Sequence, residues 1–151
     1  MDWHFRQGNK FCTLRAAVVF IDNGRVLVQR SDREFALPAV RVSVGSTAEE
    51  TLVREFRNAT GVMITHTRLI WVDENLWSSR GTDNHTVTFY FLASCGEGFP
   101  YEKFSSSKNG ASTLFEWAEL ESVRTMNIYP EFIKEKITDI SDGIEHFISR
   151  E

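Results

Sequence analysis

One stretch limits what the rest of this chain can fold into: LPAVRVSVGSTAEETLVREFRNATGV, residues 37–62. It reads as the end of a strand, a loop, a helix and a stop. Thr47-Ala48-Glu49-Glu50 fits a capping box, in which the cap hydroxyl and a carboxylate three residues on satisfy each other's backbone N–H groups. Ser46 with Glu49 fits the same pattern one residue earlier. Ala48, Leu52, Phe56 and Ala59 recur at helical spacing, with Val53 beside them, and form a stripe to be buried. Gly61 suits the left-handed position that closes a helix. Glu50 precedes Arg54 by four residues, the favourable order for an ion pair on a helix surface. The spacing predicts a helix over 47–60 with Leu52 and Phe56 buried.

Around this helix the chain reads mostly as strands. Residues 1–10 are polar with Trp3 and Phe5 interspersed, a frayed lead-in or an edge strand. Residues 11–21 (FCTLRAAVVFI) are dense in β-branched and aromatic residues. Asn23-Gly24 follows, a strong signal for a two-residue hairpin turn, and 25–30 (RVLVQR) is the return strand. Residues 35–44 form a short strand interrupted at Pro38, which must sit where no donor is needed. Strands are expected over 63–77 and 85–95, joined by a polar turn over 78–84. Residues 96–111, rich in Gly, Pro and Ser, are expected to be a loop or a lid. A strand over 113–118 ends in Phe115-Glu116-Trp117. Tyr129-Pro130 opens a last helix over 131–140, with Pro in the tolerated first turn and Phe132, Ile133, Lys136, Ile137 and Ile140 as its inner stripe. Residues 144–151 alternate as a final edge strand.

Composition narrows the class. With 151 residues the chain fits a single domain, 1–151, and can bury roughly two-thirds of its extended surface. A hydrophobic share of 42% is that of a globular protein, and a net charge of −4 argues against a nucleic-acid partner. No run of 18 apolar residues suggests a membrane span. The first ten residues lack an apolar signal core, and Cys12 and Cys95 set no disulfide framework, so a cytoplasmic setting is expected.

The central stretch also resembles a known motif. Arg54-Glu55-Phe56 and Gly61-Val62, led in by Leu37-Pro38, are similar to the Nudix box, G-x5-E-x7-R-E-U-x-E-E-x-G-U, where U is a bulky aliphatic residue. The departures are as informative as the matches. The first glycine falls on Val40, with Ala39 before it where a second glycine is common. The glutamate after x5 falls on Ser46, and the paired glutamates fall on Asn58 and Ala59. The resemblance covers about residues 11–140. It implies an α+β fold, a Nudix-like α/β/α sandwich with a mixed central β-sheet.

It implies chemistry as well. Relatives hydrolyse nucleoside diphosphates linked to another group. Hydrolysing a phosphoanhydride requires neutralised phosphate oxygens, supplied by Mg2+ or Mn2+ held on carboxylates that share one helix face. The positions of that face here are Glu55, Asn58 and Ala59, so one charge remains. The resemblance makes Glu55 and Arg54 the catalytic candidates and Glu55 and Glu74 the metal candidates. It makes Arg15, Arg30, Trp77 and His85 the substrate-binding candidates, with Trp77 able to stack on a nucleobase. The expected partner is a small nucleotide-like ligand, with a homodimer as the candidate assembly. Metal binding is expected to be weakened and hydrolysis weak or lost. Two other readings stay open: an active metal-dependent hydrolase using acids outside the box, among Asp73, Glu74, Glu97, Glu116 and Glu119, and a non-enzymatic nucleotide-binding or regulatory module. No P-loop, dinucleotide fingerprint or nucleophile elbow is present.

Overall fold

The run of β-branched and aromatic residues after Lys10 makes the backbone of the whole sheet. The structure is a computed structural model that describes residues 1–96, 104–108 and 111–151. Strand β1 (His4–Gln7) lies antiparallel along β2 (Lys10–Asp22), so the lead-in is an edge strand. Asn23 (φ 53°) and Gly24 (φ 76°) both take left-handed backbone, the geometry of a two-residue hairpin turn, and pass the chain to β3 (Arg25–Ser31). Pro38 separates β4 (Glu34–Ala36), paired to β3, from β5 (Ala39–Arg41), paired to β2. Helix α1 spans Ala48–Thr60. Then come β6 (His66–Ser79) and β7 (Thr82–Ser94), a long hairpin, and β8 (Phe104–Lys108) with β9 (Ala111–Glu119), a second one. A 3-10 turn (Leu120–Thr125), the short helix α2 (Ile133–Lys136) and β10 (Glu145–Arg150) complete the described elements.

The main strand order is β10-β6-β7-β2-β3-β9-β8. The β10–β6 and β2–β7 pairs are parallel and the others antiparallel, which makes the sheet mixed. Both faces are covered. Ala16, Val18 and Phe20 of β2 pack under α1 with Leu52 and Phe56. Ala17 and Val19 point the other way, onto a core with Trp71, Val123, Ile133 and Ile137. This explains the unbroken apolar run in β2, since a strand buried on both faces need not alternate. The layering is the expected α/β/α sandwich with a mixed central sheet. Among the described residues no helix is long and apolar enough to cross a membrane.

Several expectations change. The stripe of α1 ends at Phe56, because Ala59 is exposed. Glu50 does not reach Arg54; its carboxylate is taken by the Thr47 N–H at 2.9 Å. The first strand after α1 begins at His66 rather than Met63. The polar turn over 78–84 shrinks to Arg80-Gly81, both with positive φ, because the flanking polar residues pair across the hairpin. The last helix contracts from 131–140 to Ile133–Lys136. One turn is enough to drop Ile133 and Ile137 onto the sheet, and Phe132 is held by stacking on Phe147 of β10, with ring centroids 4.2 Å apart. The expected loop over 96–111 contains β8; residues 97–103 and 109–110, Glu97 among them, lie outside the described residues.

Candidate functional site

Two regions carry the residues of interest. The first is α1 and the loop before it. Its capping box is formed: the Thr47 hydroxyl accepts from Glu50 N–H at 3.0 Å, and Glu50 answers on Thr47 N–H. Gly61 closes the helix in left-handed backbone (φ 78°). Arg54 reaches back to the loop, donating to Ser43 Oγ at 2.9 Å and Ser46 Oγ at 3.4 Å, and lies 3.6 Å from Glu55. Thus Ser46 and Arg54, eight residues apart in sequence, meet. Asn58 and Ala59 are exposed beside the half-buried Glu55.

These positions do not fit a magnesium or manganese ion, which favours several carboxylate oxygens. Glu74 does not join them as a ligand group. It sits on β6 between two histidines, 2.8 Å from His146 and 3.9 Å from His85. Among the described residues no group of three or more His, Cys, Asp and Glu side chains could hold a metal ion.

The second region is a cleft of about 510 Å³ on the opposite face of the sheet, at the end of the core that contains Trp71. Register explains its floor. Arg15 of β2 pairs with Thr88 of β7, and Thr88 pairs with Asp73 of β6, so the three lie in one row across the sheet. Asp73, Asn75 and Trp77 follow at every second residue and share a face. Arg15, Asn75, Trp77, Thr88 and Tyr90 line the cleft; Leu37, Tyr129 and Pro130 close it from the loops, and Glu34 and Glu151 bring carboxylates to it. Glu151 is held there through its N–H, which donates to Leu76 O at 3.1 Å.

The electrostatics of this face are unusual. Asp73 is 1% exposed, and its Oδ1 accepts from Ser149 at 2.8 Å. Burial pushes its pKa up, against the opposing pull of that hydrogen bond. Burial also raises the Glu151 carboxyl, with Asp73 adding to the effect, and raises the Tyr90 phenol. The Arg15 guanidinium is pushed below its ordinary value by burial and then by Arg41. Arg15 Nε, Asp73 Oδ2 and Asn75 Oδ1 are buried without a hydrogen-bond partner among the described residues, as is Trp71 Nε1 deeper in the core. Each such atom costs about 1–3 kcal/mol.

The structure therefore gathers some of the expected residues and separates others. Arg15 and Trp77 line the cleft. Arg30 does not: it is exposed on β3, donates to Asp32 O and lies over the Phe35 ring. His85 borders other surfaces and faces Glu74, on the far side of β6 and β7 from Asn75 and Thr88. Arg54 and Glu55 belong to α1. The residues that sequence reasoning passed over are Asn75, Thr88, Tyr129 and Glu151. The period-two pattern of WVDEN was the available signal, since a face that begins with a buried Trp71 continues with Asp73 and Asn75.

Comparison with known proteins gives a consistent result. A family model described as the NUDIX domain matches residues 13–136. Among solved structures, a mutator MutT protein from Bacillus halodurans superposes with a TM-score of 0.69 at 19% identity, covering 90% of this chain and 89% of that one. A MutT NUDIX hydrolase from Burkholderia pseudomallei gives 0.58 at 19% identity, covering 73% and 84%. An ADP-ribose pyrophosphatase from Streptococcus suis gives 0.54 at 14% identity, covering 89% and 98%. At these identities the likeness is one of fold. No curated protein matches the sequence.

Proposed function

Because the chain belongs to the NUDIX domain family, we propose that it binds a small nucleotide-like ligand in the cleft lined by Arg15, Asn75, Trp77 and Tyr129, and that hydrolysis through the box is weak or lost. The family's chemistry depends on divalent metal, and function lives in the site rather than in the fold. The observation that carries the reading is the contrast at α1: capping, stop and buried face are intact, while Glu55 stands beside Asn58 and Ala59. Phosphoryl chemistry of this kind is mostly positioning and charge neutralisation, so removing the charge removes most of the rate. The role of Arg54 in this reading is positioning, because its guanidinium ties the helix to Ser43 and Ser46 of the preceding loop.

The test has two arms. Hydrolysis is measured with Mg2+ and with Mn2+ across nucleotide sugars, dinucleotides and nucleoside triphosphates. Thermal shift is measured with the same panel. Turnover orders of magnitude below that of an active family member, together with stabilisation by at least one nucleotide, is expected. Robust turnover would overturn the loss of activity and move attention to acids outside the box. No stabilisation by any nucleotide would overturn the cleft as a ligand site.

A further inference from the structure

Helix α1 covers only half of the sheet face on which it lies. Beneath it sit Ala16, Val18 and Phe20 of β2 and Phe91 and Ala93 of β7. These two strands run parallel, so their N-terminal halves lie side by side beyond the helix, with β1 on one flank and β6 and β10 on the other. Among the described residues no element covers this half. Register sets Leu14, Val87, Glu74 and Ile148 in one row across it. At its β1 end Trp3 and Phe5 join Leu14 and Val87 around an apolar hollow of about 380 Å³. Trp3 is 55% exposed, Phe5 60% and Ile148 62%. The charges on this face are paired within the chain: Glu74 lies 2.8 Å from His146 Nε2, and Lys10 bonds to Asp83. Covering the face would therefore bury apolar surface without stranding a charge there.

We infer that a second copy of this chain docks here, open half against open half. Five strands about 4.8 Å apart, followed over about five residues each, span roughly 24 by 17 Å, on the order of 400 Å² in plan. Exposed apolar patches of a few hundred Å² mark interaction sites. The relief of the side chains adds to the plan area, which brings it toward the roughly 800 Å² that each partner gives to a stable interface. The shape selects the partner. Helix α1 stands as a step about 10 Å high beside the open half, and two sheets packed face to face also lie about 10 Å apart. A two-fold axis across the strands lays one open half on the other and sets each helix past the end of the partner sheet. A single helix of another protein would cover a band only about 10 Å wide and leave half of the face bare.

Sedimentation of the whole chain over a range of concentrations tests this. The parent chain is expected to dimerise. Phe5→Glu and Ile148→Glu change side chains that are exposed in the single chain, so circular dichroism should show both variants folded. Each should weaken dimerisation about tenfold or more, as loss of a central apolar contact does. Met63→Glu, on the outer side of α1 and 44% exposed, should leave it unchanged. The unaltered chain gives a second reading. Cys12 is exposed, and it lies on this face because it pairs with Phe5 and His85. Its reaction with a thiol reagent, followed by mass spectrometry, should slow as the dimer forms. A parent chain that stays monomeric up to about 100 µM overturns the inference, since an interface of this size holds more tightly than that. A dimer unaffected by both variants, one lost equally with Met63→Glu, or Cys12 labelling that does not slow on dimerisation overturns the assignment of this face.

Discussion

Helix α1 and the cleft treat their polar groups on opposite terms. In α1 the ends are satisfied. Thr47 and Glu50 cap each other, the Gly61 N–H reaches Arg57 O at 2.7 Å, and the Thr60 hydroxyl donates to Phe56 O at 2.7 Å. Beneath them Leu52 and Phe56 are buried, and the surface where acids would cluster holds one. In the cleft Arg15 and Asn75, and beside it the buried Asp73, keep buried atoms with no partner among the described residues. A helix with both caps formed and its inner face buried needs no ligand to account for it. A row of unsatisfied buried groups costs stability, and in a native protein each such group calls for an explanation. The difference singles out the cleft, rather than the helix, as the place that calls for a ligand.

The hardest blow to that comparison would come from the packing under α1. Phe56→Ala removes a 3% exposed ring that lies 6.1 Å from Phe20, and should cost about 3–5 kcal/mol in urea unfolding. A cost below about 1 kcal/mol would mean that α1 is not the packed framework described above. The next largest effect concerns charge. Ser46→Glu, Asn58→Glu and Ala59→Glu together should tighten magnesium binding by about tenfold or more, since even outer-shell partners of a metal contribute that much. Calorimetry reads it directly, and unchanged affinity would show that the box positions are not what limits metal binding. In the cleft the sign should reverse. Arg15→Met replaces a side chain whose buried Nε–H has no partner among the described residues with an apolar one, and should leave stability unchanged or raise it by about 1 kcal/mol while nucleotide binding falls. A clear loss of stability would show that Arg15 serves the fold.

The two regions also differ in how far they could be read from sequence. The caps, the stop and the inner face of α1 are chemistry between residues three and four apart, so contiguous sequence carries them. The Asn23-Gly24 turn is local in the same way. The last helix misled because Phe132, Ile133 and Ile137 mark a buried face, while the sheet needs only a single turn to be covered. The cleft is written in residues 15, 75, 129 and 151, which meet only because β2, β7, β6 and β10 are neighbours. Two of those neighbours pair in parallel, and no local signal announces a parallel pairing. Glu74 and His85 were separable in principle: a strand sends alternate residues to opposite faces, so Glu74 cannot share a face with Asp73 and Asn75.

The smallest expected effect is a slope, and it concerns the acid buried beside the cleft, Asp73. Asp73 accepts from Ser149 of β10, shares its face with Tyr90 of β7, and feels the charges of His146, Glu74 and Glu151. Burial raises its pKa above that of an exposed aspartate. The folded protein then holds the proton more tightly than the unfolded chain. Stability contributed by the neutral acid is present below the ordinary carboxylate range and is lost as pH rises from there through the raised folded value. Glu151 is shifted in the same direction and adds to the trend. Unfolding free energy measured from pH 4 to pH 8 should therefore carry a declining component that Asp73→Asn flattens, because asparagine keeps the shape and has no proton to release. If the variant shows the same slope as the parent chain, Asp73 is not the group that titrates, and the cost assigned to this side of the cleft belongs to Glu151. If the slope is flattened and nucleotide binding is weakened as well, the buried acid and the ligand site are one device, and α1 stands apart from both.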